Sequence, residues 1–160
     1  MSRVPAAELA AGATEQLGGM MAMGLVSGTV VGVGIDAVDI DRLRIMLDRR
    51  RHLAERLFTP GELAYAHHAS DPVPRLATRF ATKEAVMKAL GLGLGAFGFH
   101  DVEVVRDGLD APRLTLHRAA ADLAHVAGVA CWHLSLTHTD SLALAAVVAD
   151  RLSHDGRSGR

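Results

Sequence analysis

The hydrophobic period of this chain changes from helical to extended near residue 100. Before that point, after one early strand, apolar residues recur at a helical spacing. Beyond it they alternate with polar residues at a period of two, in segments 102–106, 113–117, 131–138 and 142–149, and a short Ala-rich helix follows the first pair of these strands. The order strand, helices, strand pair, helix, strand pair predicts an α+β fold, with a small antiparallel sheet packed against a long helix, and not a doubly wound sheet.

The early strand is the segment TVVGVGID, Thr29 to Asp36. Its alternation places the larger apolar residues on one face and Gly32, Gly34 and Asp36 on the other. Because glycine has no side chain, we expect this second face to leave open space beside the Asp36 carboxylate.

The longest predicted helix lies in RLATRFATKEAVMKALGLGLG, Arg75 to Gly95. On a helical wheel of about 100° per residue, Glu84 falls inside the apolar stripe centred on Phe80, with Lys83 and Lys88 on its two flanks. An unpaired carboxylate on an inward face costs several kcal/mol or more. Glu84 therefore requires a partner.

Local signals set the ends of the helices. Asp39 or Asp41 is expected near the start of the first helix, and Thr59 begins another as an N-cap followed by Pro-Gly-Glu, a capping-box pattern. Pro74 opens the long helix and Gly91 ends it.

Composition bounds the function classes. Of 160 residues 49% are hydrophobic, and 17 basic against 18 acidic residues leave a net charge of -1, which argues against general nucleic-acid binding. A single cysteine, Cys131, indicates a reducing compartment, and no apolar run reaches the roughly 18 residues that span a bilayer. We therefore expect a soluble, cytoplasmic protein without a membrane partner. One domain is predicted at 28–150, with a flexible extension at 1–27 and a disordered tail at 151–160.

Two carboxylates are candidate metal ligands. Asp36 at the end of a strand and Glu84 on a helix would form a hard-oxygen site if they converge, and such a site suits Mg²⁺ together with waters and phosphate oxygens. Two structural alternatives stand beside this hypothesis: Glu84 pairing with Lys88 one turn later, and Asp36 capping the next helix.

Three cations accompany Glu84 on the long helix, namely Arg79, Lys83 and Lys88. One carboxylate does not balance them, so the excess positive charge fits a phosphate-bearing ligand bridged by the metal. Among nine histidines, no zinc motif occurs. His138 differs from the others because it ends a strand of alternating apolar residues, where a satisfied edge residue is the commoner explanation.

Six arginines crowd the sixteen residues from Asp41 to Arg56: Arg42, Arg44, Arg49, Arg50, Arg51 and Arg56. A run of charge is usually a solvated helix face, and the alternative is a local docking surface for an acidic partner.

Together these segments resemble the 4′-phosphopantetheinyl transferases, and most closely their short, holo-[acyl-carrier-protein] synthase branch. The resemblance rests on VGVGIDAVDIDRL, RLFTPGEL, LATRFATKEAVMKALG and WHLSLTHT, in that order, from about Val31 to Ala149. The early Gly-x-Asp together with R-F-x-x-K-E-A-x-x-K-A is specific as a pair. The extension at 1–27 is longer than is usual in the family, and Thr82 stands where alanine is common.

The resemblance implies a reaction: Mg²⁺-dependent transfer of 4′-phosphopantetheine from coenzyme A to a serine of an apo acyl carrier protein, in fatty-acid or polyketide biosynthesis. It implies the family's α+β fold, a homotrimer and active sites at subunit interfaces. Carried over by position, Asp36 and Glu84 bind the metal and Lys88 holds the phosphate under attack; Glu84 and Lys88 are thus the catalytic pair.

The same resemblance distributes the remaining roles. Arg79 and His138 are expected to contact the coenzyme. Lys83 and Lys88 are expected to bind it as well, Lys83 because of the excess positive charge on the long helix. Arg42, Met46 and Arg49 are expected to dock the acidic helix of the carrier protein. Whether Glu84 or a water on the metal accepts the serine proton is open.

Two other function classes compete with transfer. A non-catalytic module that binds coenzyme A or a carrier protein would not need the trio of Asp36, Glu84 and Lys88. A magnesium-dependent hydrolase of small diphosphates would not need the arginine-rich docking helix.

Overall fold

The computed structural model describes residues 28–50, 52–106, 108 and 110–152. Its elements in chain order are β1 (Gly28–Asp39), α1 (Ile40–Arg49), α2 (Leu53–Leu57), α3 (Pro60–Ala66), α4 (Val73–Ala89), a 3₁₀ turn (Phe99–Asp101), β2 (Val102–Val105), β3 (Arg113–Leu116), α5 (Arg118–Val126), β4 (Cys131–His138) and β5 (Leu142–Leu152). The α+β prediction is confirmed. The expected extension at 1–27 lies outside the described residues, and β5 continues two residues into the segment expected to be a tail.

Two sheets contribute to the fold. The larger has the strand order β1–β5–β4, and β4 and β5 form an antiparallel hairpin through Thr139–Ser141. The smaller pairs β2 with β3 in antiparallel register from Val102↔Leu116 to Val105↔Arg113. Helix α4 packs on the central strand β5 and also contacts β2, so it lies between the two sheets.

Two apolar clusters hold α4 in place. The first joins the later turns of α4 to β2, α5 and the inner face of β5, and includes Val86, Val102 and Val147. The second joins its first turns to α1, α2 and α3, and includes Ile40 and Phe58. Because the helix is covered on several sides, twelve of its seventeen residues are buried.

The glycine face of β1 does not leave the open space predicted for it. A Cβ on Gly32 would lie 1.9 Å from the carbonyl oxygen of Ala89, and one on Gly34 would lie 1.8 Å from that of Ala85. The two glycines therefore let the strand backbone approach the backbone of α4. The larger residues of β1 point the other way, and Val33 and Ile35 are 57% and 58% exposed.

The predicted starts of α1 and α3 and the predicted end of α4 are confirmed, and α4 begins at Val73, one residue before the predicted Pro74. The side chain of Asp39 accepts from the Arg42 amide at the start of α1, and Thr59 and Glu62 form a capping box at α3. Helix α4 ends in a Schellman motif: Gly91 has φ +68, its amide donates to Lys88 O, and the amide of Leu92 donates to Met87 O. No helix within the described residues is both long and apolar enough to cross a membrane.

Candidate active site

The structure brings Asp36, Glu84 and Lys88 together where β1 crosses α4. The Nζ of Lys88 donates to Asp36 Oδ1 at 2.7 Å and to the Ile35 carbonyl at 3.1 Å. Lys88 is thus paired with the carboxylate of Asp36 on the strand. The alternative left open by the sequence, a pair between Lys88 and Glu84, is not formed. Asp36 does not cap α1 either, since Asp39 does so.

Glu84 lies on the least buried side of α4, not in an inward stripe as predicted. Phe80 and Glu84 are half-buried and Lys88 is exposed, and these three follow one another at intervals of four residues. Leu76 and Met87, which the wheel placed beside Phe80, are buried in the two clusters. The helical wheel was wrong about direction because α4 is covered by protein on its other sides, so that its apolar stripe does not mark a single inward face.

The pKa values of Glu84 and Lys88 are both raised in this trio, because two carboxylates lie close to each other and to the ammonium group. Burial raises the pKa of Glu84, and the nearby charge of Asp36 raises it further. The hydrogen bond to Asp36 raises the pKa of Lys88, which the Asp36 and Glu84 charges reinforce. Asp36 itself is 9% exposed. Two adjacent carboxylates therefore face one ammonium group, which is paired with Asp36, and the site can accept further positive charge.

Asp36 and Glu84 line a cleft of about 460 Å³ that we call the acid cleft. Arg42 and Met46 of α1 form part of its wall, together with apolar side chains that include Phe80 and Leu142. Arg49, the third predicted docking residue, is exposed one turn farther along α1. The predicted docking helix therefore borders the predicted metal ligands.

The other arginines of this segment differ in their surroundings. Arg44 forms a bidentate pair with Asp71, with Nη1–Oδ1 at 3.0 Å and Nη2–Oδ2 at 2.8 Å, and so ties α1 to the start of α4. Arg50 and Arg56 are exposed, and Arg51 lies outside the described residues.

Lys83 was predicted to bind the phosphate-bearing ligand, and the structure contradicts this. Its side chain is 0% exposed and its Nζ lies 2.8 Å from Glu62 Oε2, also 0% exposed, while donating to the Phe99 carbonyl at 2.7 Å. Burial lowers the pKa of Lys83, and the charge of Glu62 opposes that change. Lys83 lies in the interior because α4 is covered on that side by α3 and β2, so it serves the fold.

Arg79 and His138 line a second cleft of about 490 Å³, the cationic cleft. It also contains residues that the sequence reasoning missed: Tyr65, Arg75, Arg106, Pro112 and Thr137 among them. They come from α3, α4, the end of β2, the loop before β3 and the end of β4. Their spacing in the sequence carried no signal, because only the packing of these elements brings them to one place.

Arg79 is the most buried cation of this cleft, at 3% exposed. Its Nη1 donates to the Arg75 carbonyl at 2.9 Å, and its guanidinium lies 4.3 Å from the centroid of the Tyr65 ring. Within the described part of the chain, its Nε is one of two buried side-chain polar atoms without a hydrogen-bond partner. Burial lowers the pKa of Arg79. Such a side chain fits a site for an anion.

The acid cleft and the cationic cleft share none of their described lining residues. Glu84 and Arg79 are five residues apart on α4 and therefore point about 140° from each other. A single chain thus presents the acidic and the basic parts of the candidate site on different faces of one helix.

The donor set of the acid cleft fits a magnesium ion in part. Asp36 and Glu84 supply two carboxylates, and Mg²⁺ is usually bound by one or two carboxylates plus substrate phosphates and waters. The described residues hold no group of three or more histidine, cysteine or acidic side chains that could bind a metal alone. The remaining ligands would therefore come from substrate and solvent.

Most of this chain matches a known protein family. Residues 32–147 match the family model described as the 4′-phosphopantetheinyl transferase superfamily. The chain is 44% identical over 124 residues to a holo-[acyl-carrier-protein] synthase of Moorella thermoacetica, and the match covers 77% of this chain and 97% of that relative.

Solved structures agree with the fold. The crystal structure of holo-[acyl-carrier-protein] synthase from Neisseria meningitidis superposes with a TM-score of 0.70 at 33% identity, covering 77% of this chain and 100% of that one. The Bacillus anthracis synthase, solved in complex with CoA (3′,5′-ADP), superposes with a TM-score of 0.63 at 33% identity, covering 76% and 97%.

Proposed function

The chain belongs to the 4′-phosphopantetheinyl transferase superfamily, and we propose that it is a holo-[acyl-carrier-protein] synthase. It transfers 4′-phosphopantetheine from coenzyme A to a serine hydroxyl of an apo acyl carrier protein. The serine oxygen forms a bond to phosphorus, the bond to the leaving phosphate oxygen breaks, and adenosine 3′,5′-bisphosphate departs. The serine proton is lost in the same exchange.

One observation carries this proposal: two carboxylates, one of them paired with Lys88, line a cleft that the arginine-bearing helix α1 helps to form. Phosphoryl transfer requires positioning and neutralised charge more than covalent chemistry. A protein substrate also needs a surface on which to dock. The acid cleft supports this proposal, because its two carboxylates can hold a cation and α1 offers an exposed basic surface beside them.

The chain's own residues bind and orient the diphosphate. Lys88 is more than half exposed, and among the described residues its ammonium group donates to Asp36 and to the Ile35 carbonyl. It can therefore turn to a phosphate oxygen when a ligand enters, and at that position it opposes the negative charge that develops during attack.

Asp36 and Glu84 are the residues that would hold Mg²⁺. A bound Mg²⁺ would neutralise charge on the diphosphate oxygens. The carboxylates in turn are held in place by the close contact of β1 with α4 that Gly32 and Gly34 permit. A displacement of the strand would separate them.

The carrier protein docks on α1, according to this proposal. Arg42 and Arg49 are exposed and Met46 is half-buried between them in sequence. At positions i, i+4 and i+7 they share one face of the helix. Basic groups around an apolar contact suit an acidic amphipathic helix, and the serine would then enter the adjoining acid cleft.

A homotrimer accounts for the two separated clefts. The coenzyme would reach from the acid cleft of one subunit to the cationic cleft, with Arg79 and His138, of its neighbour. The outer face of the larger sheet supports this assembly: Val33 and Ile35 are more than half exposed, and Leu144, Ala146 and Val148 are half-buried beside them.

Mass spectrometry of an intact carrier protein tests the function. Apo carrier incubated with this protein, coenzyme A and Mg²⁺ should gain the mass of one phosphopantetheine group. A carrier that binds but gains no mass would indicate a binding module, and release of adenosine 3′,5′-bisphosphate together with free phosphopantetheine, without a modified carrier, would indicate a hydrolase.

The metal assignment has its own variants. Asp36→Ala and Glu84→Gln should each abolish transfer while the unfolding midpoint stays near that of the parent. Adding a chelator to the parent should have the same effect as either variant. Full activity of either variant in a chelator would contradict the assignment of these residues.

A further inference from the structure

The cationic cleft contains the only tyrosine of the chain, Tyr65, at the meeting point of three arginines. The guanidinium of Arg79 lies 4.3 Å from the ring centroid and that of Arg75 lies 4.7 Å from it. Arg106 Nη1 donates to the phenol oxygen at 3.2 Å. Arg75 Nη1 also donates to the main-chain carbonyl of Tyr65 at 2.9 Å.

These contacts oppose a repulsion between like charges. Arg75 and Arg79 share one ring, so their charged carbons are no farther apart than the two centroid distances together, about 9 Å, which is within the range over which charges act at moderate salt. With no anion bound, this repulsion favours separation of the arginines. Main-chain carbonyls hold Arg79 and Arg106 in part, and an attraction shared by all three arginines comes from another group. The π face and the phenol oxygen of Tyr65 supply that attraction.

We propose that Tyr65 is the positioning residue of the cationic cleft, and that it holds Arg75, Arg79 and Arg106 in place for the phosphate groups of the incoming coenzyme. This inference rests on the proposed function for the identity of the ligand. The role is one of preorganisation, since side chains already in place lose less entropy when the anion binds.

The phenol provides a direct report on the cleft. Burial would raise the pKa of Tyr65, but the hydrogen bond from Arg106 and the charges of Arg106, Arg75 and Arg79 outweigh burial and lower it. Since this is the only tyrosine, titration of phenolate absorbance follows this one group. Adenosine 3′,5′-bisphosphate bound to the arginines should cancel part of their charge and raise the pKa of Tyr65.

Two substitutions separate the parts of the contact. Tyr65→Leu removes the π face and the phenol, and should raise KM for coenzyme A about tenfold. Tyr65→Phe keeps the ring and loses only the hydrogen bond from Arg106, so most of the affinity should return, with KM about two- to threefold above the parent. In both variants kcat and the KM for the carrier protein should stay within about twofold of the parent, because Tyr65 does not line the acid cleft.

Kinetics and titration together decide the proposal. Unchanged KM for coenzyme A in Tyr65→Leu, or equal rises of KM for both substrates, would overturn it and leave the proposed transfer reaction intact. If Tyr65→Leu fails to fold, the KM of Tyr65→Phe and the titration of the parent remain decisive.

The titration also separates this inference from the reaction itself. If the parent transfers nothing from coenzyme A, the proposed function fails, and titration of the parent with and without inorganic pyrophosphate or adenosine 3′,5′-bisphosphate still tests Tyr65. A phenol pKa at or above the ordinary value for tyrosine, or one that neither anion moves, would overturn the inference.

Discussion

Replacing Lys83 by methionine tests whether this lysine belongs to the fold or to the ligand site. Lys83 and Glu62 are both 0% exposed and their charged atoms lie 2.8 Å apart. Methionine fills nearly the same space but leaves the Glu62 carboxylate without its cation. Removing one partner of a buried pair costs about 3–5 kcal/mol.

The surroundings of Glu62 place the expected loss within that range. The carboxylate keeps two main-chain donors, from Thr59 and Val104, each at 3.0 Å, which limits the cost. The carbonyls of Phe99 and Val102 lose the ammonium that now donates to them, which adds to it. We expect the melting temperature to fall by roughly 6–20 °C, at about 2–4 °C per kcal/mol.

The assays are thermal melting and urea unfolding, both at a fixed protein concentration, because assembly would make stability depend on concentration. Lys88→Met is the matched control: the same change on the same helix, at a side chain that is 53% exposed. It should cost less than about 1 kcal/mol but remove most of the turnover. Lys83→Met should instead keep its KM for coenzyme A while it remains folded. Parent-like stability of Lys83→Met with a raised KM for coenzyme A would refute the reasoning and return Lys83 to the ligand site.

Three further predictions follow from single contacts. Gly34→Ala should lower the free energy of unfolding by about 3 kcal/mol or more and remove most of the activity, because the new Cβ would lie 1.8 Å from a carbonyl oxygen of the facing helix. Gly93→Ala is the control: a Cβ there has nothing within 4 Å, so urea unfolding should be close to that of the parent. Replacing Arg42 and Arg49 by glutamate should raise KM for the carrier protein about tenfold or more, and this KM should depend less on salt than in the parent. KM for coenzyme A should change little. Equal effects on the KM of both substrates would mean that α1 is not the docking surface. Burial raises the pKa of Glu103, but hydrogen bonds from Thr59 and His117 outweigh burial and hold the pKa below the ordinary value of a glutamate. The unfolded chain therefore binds more protons than the folded chain, and stability is lost as the pH falls through the folded pKa. As the pH falls from about 6 to about 3.5, Glu103→Gln should therefore lose less stability than the parent, and identical losses in urea unfolding would contradict this contribution.

Local sequence signals predicted the elements of this fold well. The caps at Asp39 and Thr59 and the stop at Gly91 depend on hydrogen bonds between residues three to five positions apart, so they can be predicted from neighbouring residues. The strands of the second half alternate because each has one covered face.

Predictions about which face is covered were less successful. The glycines of β1 were taken as open space, whereas Gly32 and Gly34 allow a helix backbone to approach. The sequence shows that a side chain is missing but not what occupies its place. The helical wheel likewise could not show that α4 is covered on several sides, and so it placed Glu84 in an inward stripe.

Two lysines show the difference between what the sequence predicts and what the tertiary structure decides. Lys83 and Lys88 have the same chemistry and stand on the same helix beside the same glutamate, so the sequence alone predicted one role for both. Packing separates them: α3 and β2 cover Lys83 and provide Glu62, whereas Lys88 faces β1 and Asp36. The order of elements, their ends and the pair of carboxylates were determined by the sequence, because these depend on neighbours along the chain. The tertiary structure decided which lysine is buried and which arginines contact Tyr65. These outcomes depend on contacts between residues far apart in the chain, and such contacts contribute free energy only after the elements have packed.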